Sequence, residues 1–196
     1  MARWFFGIEL PPSVKQALGQ LQSEWQSSPW NVQAGNWQGQ DLFHLTVVFL
    51  GELDEAAASQ LDAVGRGAVS AVSPFGLSLD APGVFARNKV LWVGIDAKGN
   101  WDEMDQLYRS TRLEVMQRNI AKVEDRPFRP HITLARKLVV SSSAKLQEQS
   151  VDWQKSLRDI HFEVSALSLF ESTRIQGRLV YPVRARFPFG GGLEKP

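Results

Sequence analysis

The chain of 196 residues contains no cysteine. Disulfides, thiolate zinc sites and a thiol nucleophile are therefore excluded, and the composition suits a reducing cytoplasm. A surplus of charge is also lacking, since 22 Lys and Arg against 21 Asp and Glu leave a formal net charge of +1. A protein that coats long nucleic acid usually carries a large basic excess. Any nucleic-acid contact is thus expected to be local, at a strand end or a nucleotide. Long apolar runs are missing as well. The opening stretch "RWFFGIEL" is interrupted at Glu9 and closed by Pro11 and Pro12, too short for the apolar region of a signal peptide. Nothing approaches the length of a membrane-spanning helix. A soluble cytoplasmic protein without membrane contact is expected.

What the chain does have is material for a core: 43% hydrophobic residues, with seven Trp and eleven Phe that offset chain entropy when buried. Arg3–Leu10 reads as a strand, and Val14, Leu18, Leu21 and Trp25 follow at helical spacing. "GNWQGQD" reads as a loop and "LFHLTVVFLG" as a strand closed by Gly51. Asp54 is placed to cap an Ala-rich helix from Glu55 to about Val72. "FGLSLDAPGVF" and "KVLWVGIDA" read as two strands around a turn, and Asn100 is a candidate cap for the next helix. "RPHITLARKL" is a strand, Ser141–Ser143 begin a further helix, and "FEVSALSLFES" and "RLVYPVRARFPF" form a closing strand pair. The same order of elements occurs twice. The expected fold is α+β, with two pseudo-symmetric lobes, each an antiparallel sheet with helices on its outer face, and an active-site cleft between them. Residues 1–189 are expected to form a single domain of two interleaved lobes, and 190–196 a flexible C-terminal tail.

Each half carries the same phrase. "HLTV" begins at His44 and "HITL" at His131, 87 positions later, using two of only three histidines. Side chains alternate along a strand, so His44 and Thr46 share one face while Leu45 and Val47 face the core, and His131 and Thr133 are set against Ile132 and Leu134 in the same way. A groove holding two imidazoles and two hydroxyls suits acid–base work on a phosphodiester. One ring takes a proton from the attacking oxygen, the other gives one to the leaving oxygen, and the hydroxyls donate to non-bridging oxygens. A single His-x-Thr on a strand is most often structural; its duplication in matching elements is what points to function. Two other readings compete. One is a non-catalytic module that binds RNA ends or nucleotide phosphates. The other is a metal enzyme using Glu52 and Asp54 beside the histidines, although no metal-ligand spacing supports it.

These residues resemble the 2H phosphoesterase superfamily, named for two H-x-T/S-x motifs, and within it the RNA 2',3'-cyclic phosphodiesterases once described as 2'-5' RNA ligases. "RWFFGIELPP", "FHLTVVFLGEL", "VLWVGI", "FRPHITLARKL", "LSLFES" and "GRLVYPV" carry the likeness over nearly the whole chain. The resemblance implies hydrolysis of RNA ends or cyclic nucleotides to 2'-phosphomonoesters, with 2'-5' ligation as the reverse reaction; the two-His chemistry itself calls for no metal or cofactor, and a monomer is the default expectation. It implies His44 as proton donor and His131 as proton acceptor, an assignment that pseudo-symmetry leaves reversible, with Thr46 and Thr133 binding phosphate. Arg136 matches an arginine that contacts phosphate in the family. It lies five residues after His131, so an ideal strand points it to the wrong face; either the strand ends or bulges near Ala135, or Arg136 is surface. Phe85 either flanks a base or belongs to the core. Arg129 lies at the cleft rim or in solvent, and His161, without the x-Thr context, is structural. Lys145–Asp159 and "STRIQGR" depart from the family pattern, which bears on substrate choice more than on chemistry.

Overall fold

The computed structural model describes residues 3–27, 29–97, 100–123 and 127–190. Of the expected tail, residues 191–196 lie outside the described residues. The chain runs β1 (Arg3–Glu9), α1 (Pro12–Gln26), β2 (Ala34–Trp37), β3 (His44–Glu52), α2 (Glu55–Ala58), α3 (Leu61–Val69), β4 (Phe75–Phe85) and β5 (Val90–Asp96). It continues with α4 (Trp101–Gln117), β6 (His131–Leu138), α5 (Val140–Arg158), β7 (His161–Val164), β8 (Ala166–Ile175), β9 (Arg178–Val180) and β10 (Val183–Pro188).

The strands follow the order β10-β8-β1-β3-β6-β5-β4-β7, with β2 added to β6 and β9 to β8, and every pairing is antiparallel. This array is two sheets joined at a point. β1 and β3 pair from Arg3↔Glu52 to Glu9↔His44, and β5 and β6 from Val90↔Arg136 to Gly94↔His131. Between the halves, β3 and β6 share only the pair Leu45↔Ile132. The two lobes of the α+β fold therefore meet at the second residue of each His-x-Thr motif. The chain crosses between them repeatedly. α3 and α4 pack together against β10, β8 and β3 of one lobe, whereas α5 covers β4 of the other. α1 follows β1 in sequence but joins the far lobe, where Trp25 packs on Trp153 of α5 at 4.9 Å between ring centroids.

Local sequence explains most elements. Pro12 sits in the first turn of α1, where its missing N–H costs nothing, and Val14, Leu18, Leu21 and Trp25 are buried at helical spacing. The Asp54 carboxylate accepts the Ala57 N–H at 2.8 Å, capping α2. The single helix expected over 55–72 is divided: the Ser59 hydroxyl and Gln60 amide both donate back to the Ala56 carbonyl, at 2.8 and 3.4 Å, and α3 starts afresh at Leu61. Asn100 occupies the N-cap of α4 without a side-chain cap bond. β2 lies where a loop was expected. Its Gly and Asn disfavour a strand, but pairing with the edge of β6 supplies the hydrogen bonds. The closing strand pair is broken at Ser165, where the chain leaves β4 for β1, and at Pro182.

Candidate active site

The Leu45↔Ile132 pair fixes the geometry of the centre. Continuing its antiparallel register one step each way sets Thr46 opposite His131 and His44 opposite Thr133. Directly opposed side chains on one sheet face stand about 4.5–5.5 Å apart at Cβ. The four polar residues thus form a compact group on the face away from Leu45 and Ile132, both of which are fully buried.

Each strand then bulges at the same place. In β3 the register shifts between Phe6↔Val48 and Gly7↔Thr46, and Val47 and Val48 are both buried. In β6 it shifts between Leu91↔Ala135 and Trp92↔Thr133, and Leu134 and Ala135 are both buried. Two consecutive core residues mark an extra residue in the strand and invert the alternation beyond it. Arg136 is therefore returned to the face of His131 and Thr133, and Phe49 to the face of His44 and Thr46. The parity objection to Arg136 is resolved by the bulge near Ala135. A buried amide holds that bulge: Gln22 Nε2 donates to the carbonyls of Leu134, at 2.8 Å, and Gln38, at 3.0 Å, while the Gln38 N–H also donates to Leu134.

The two half-sites differ in surroundings. His44 Nδ1–H donates to the Leu42 carbonyl at 2.8 Å, which leaves Nε2 to accept the Thr46 hydroxyl at 3.0 Å. Its ring meets Phe5 at 4.7 Å, Tyr181 edge-on at 5.1 Å and Phe170 at 5.7 Å, and Phe5 stacks on Phe170. The residue is half-buried, and burial is the strongest influence on its ring, pushing the pKa down to about 4. The bond to Leu42 opposes that fall, and positive charge at His131, Arg136 and Lys15 adds to it.

His131 Nδ1–H likewise donates to the Arg129 carbonyl at 2.8 Å. Phe85 stands edge-on to its ring at 4.9 Å, and Trp92 lies at 6.3 Å. The Trp92 ring rests across Gly83, where a Cβ would come within 2.2 Å of it, so glycine is required there. Burial lowers the pKa of His131, the Arg129 bond opposes, and Arg136 lowers it further. No hydrogen bond joins Thr133 to His131 among the described residues.

His44, Thr46, His131, Thr133 and Arg136 are thus brought to one face of two adjacent strands. Phe85 is half-buried beside His131, not a core residue. Arg129 is exposed, and its main-chain carbonyl orients His131. His161 is exposed on β7 in a separate depression with Phe75 and Arg158. Glu52 pairs with Arg3 at 3.5 Å and Asp54 caps α2, so both acids of the metal reading are engaged elsewhere. Sequence reasoning missed Gln22, Tyr181, Phe170 and the orienting carbonyls of Leu42 and Arg129. A common signal was present for the last two, because each lies two residues before its histidine.

Comparison with known proteins gives the family and the fold. Residues 10–176 match the 2'-5' RNA ligase superfamily. An RNA 2',3'-cyclic phosphodiesterase of Thermotoga maritima is 26% identical, covering 97% of both chains, and one of Escherichia coli K12 is 27% identical over 91% of this chain and 92% of its own. Among solved structures, E. coli LigT complexed with 3'-AMP superposes with a TM-score of 0.75 at 24% identity, over 96% of this chain and 98% of that one. That likeness extends to the two-lobed fold.

Proposed function

The chain belongs to the 2'-5' RNA ligase superfamily, and from that premise we propose that it hydrolyses 2',3'-cyclic phosphodiesters, at RNA ends or on nucleotides, to 2'-phosphomonoesters. The observation that carries the proposal is the pair of His-x-Thr strands joined at Leu45↔Ile132, with both imidazoles and Arg136 on one face. The relatives named RNA 2',3'-cyclic phosphodiesterase support it along nearly the full length of the chain.

In this reading the phosphorus centre sits between the rings. His131 takes a proton from water, the resulting hydroxide attacks phosphorus, and the P–O3' bond breaks as His44 protonates the leaving 3' oxygen. Thr46, Thr133 and Arg136 hold the non-bridging oxygens, where negative charge gathers in the transition state. The assignment of roles follows accessibility. His131 lines an open groove that water enters, whereas His44 lies in a tight pocket of about 70 Å³ with Phe170 and Tyr181. Both rings are neutral at pH 7 in the empty site, so His44 acquires its proton together with the substrate. The phosphodiester's negative charge between the rings opposes the field of Arg136 and favours that uptake.

Phe85 flanks the terminal base in this arrangement. When the 5'-hydroxyl of a second RNA end takes the place of water, the same groups join it through a 2'-5' bond as the P–O3' bond breaks and His44 protonates the 3' oxygen. No step calls for a metal ion or cofactor, and the protein works as a cytoplasmic monomer. Among the described residues, no helix is long and apolar enough to cross a membrane.

The test is incubation with each of the four nucleoside 2',3'-cyclic phosphates in the presence of EDTA. Exclusive formation of the 2'-monophosphate is expected. A 3'-monophosphate, a rate abolished by the chelator, or no turnover at all counts against the proposal.

A further inference from the structure

A groove of about 460 Å³ leads away from His131 and Thr46, bordered by Phe49, Tyr108, Lys122, Phe128 and Arg129. Its origin lies in the imperfect symmetry of the lobes. Beyond the shared pair, β6 gains β2 as a neighbour, with Asn36 against Arg136 and Trp37 against Ala135. Among the described residues no strand takes the matching place beside Thr46–Gly51 of β3, and the slot stays open. Three properties say what it accepts. It is continuous with the phosphate-facing Thr46 and His131. It offers aromatic surface: Phe49 is 56% exposed, and Phe128 is stacked on Tyr108 at 4.2 Å with the planes 4° apart. It also carries two cations, Lys122 and Arg129, neither in an ion pair among the described residues. At the opposite end of the site, by contrast, Arg178 is paired with Asp41 at 3.2 Å and Arg174 donates to the Gly177 carbonyl.

We infer that this groove receives the ribonucleotide preceding the cyclic phosphate, with its base on Phe49 and the linking phosphate near Lys122 and Arg129. The substrate is then an oligoribonucleotide end, and a free cyclic mononucleotide fills only half of the site. The inference rests on the proposed hydrolysis. Its chemistry is that of single-strand binding generally, an aromatic platform beside a cationic track.

The experiment compares cytidine 2',3'-cyclic phosphate with the dinucleotide ApC bearing a terminal 2',3'-cyclic phosphate. The dinucleotide is expected to have a kcat/KM at least about tenfold higher, the size of one stacking contact. Phe49→Ala and Lys122→Ala, both exposed positions, are expected to erase most of that preference and leave mononucleotide turnover within about twofold. For the wild type, raising salt from about 50 to 200 mM is expected to shrink the preference, and Lys122→Ala to flatten that dependence. Equal turnover of the two compounds, or a preference that survives both substitutions, overturns the groove assignment and leaves the hydrolase in place. Either result is what a groove for a peptide or a second copy of this chain would give. Hydrolysis of neither compound overturns the proposed function, and this inference with it.

Discussion

The two half-sites begin from the same phrase and end in different environments. His44 is ringed by Phe5, Phe170 and Tyr181 and bonded to its own Thr46, whereas His131 has Phe85 and Trp92 on one side and an open groove on the other. Both rings are tethered by Nδ1–H to a carbonyl two residues earlier, so tautomer and orientation are shared while solvation is not. Duplication therefore supplies matched geometry, and the unequal walls supply different access to the two rings: His44 lies in a tight pocket and His131 on an open groove. The bulges repeat the lesson. Each returns the fifth residue after its histidine to the cleft face: in one lobe this is Arg136, whose charge reaches both imidazoles, and in the other it is Phe49.

The largest expected effect is loss of either ring. His44→Ala and His131→Ala are each expected to lower turnover by about 10²–10⁴-fold with the fold retained, and the double variant to be little worse than either, since the two groups act in one step. Added imidazole separates the half-sites. It is expected to restore part of the rate to His131→Ala, whose place opens on the groove, and none to His44→Ala; equal rescue would mean that the environments do not differ as described. Arg136→Ala is expected to cost about a hundredfold in kcat/KM, with Arg136→Lys recovering only part because the bidentate geometry is lost. The same change removes a positive charge near both rings, so their pKa values rise and the pH profile moves to higher pH.

Smaller effects test what sets the geometry. Gln22→Met leaves the buried Gln38 carbonyl without its partner and takes one donor from Leu134, at a cost of about 1–3 kcal/mol in unfolding free energy. Because the β6 bulge then relaxes, kcat is expected to fall in the manner of a mild Arg136 variant; unchanged kcat would leave Gln22 a structural group only. The depressed pKa of His44 also has a stability consequence. The unfolded ring binds a proton near 6.5 and the folded ring near 4, so the unfolded state holds more protons between those values, and stability falls as pH is lowered through that window. The stability of the wild type relative to His44→Gln is expected to drop by about 3 kcal/mol between pH 7 and pH 4, measured by denaturant unfolding. A constant difference would mean that His44 is as solvated as a free histidine.

The parts of this arrangement that are local in sequence were legible there. The alternation around His44 and His131 placed each Thr beside its histidine, and the order of elements indicated two α+β lobes. The parts that depend on distant chain were not. β2 has no strand pattern of its own and exists because β6 offers it an edge. Val47–Val48 reads as an ordinary apolar pair, and near Ala135 the sequence offers a bulge only as one of several alternatives; the partner strands' register reveals the extra residue in both strands. Gln22 sits on the buried face of α1, where sequence gives no hint that its amide meets a carbonyl 112 residues away. Tyr181 and Phe170 reach His44 only because β8 returns beside β1.

If two histidines of opposite protonation act on one phosphorus centre, kcat/KM for a nucleoside 2',3'-cyclic phosphate must depend on pH through both rings. Because burial and Arg136 lower both rings in the free protein, the pH profile is expected to be a bell with one limb near pH 4 and the other below pH 6.5. A rate with a single limb, or one independent of pH from about 4 to 8, would contradict it.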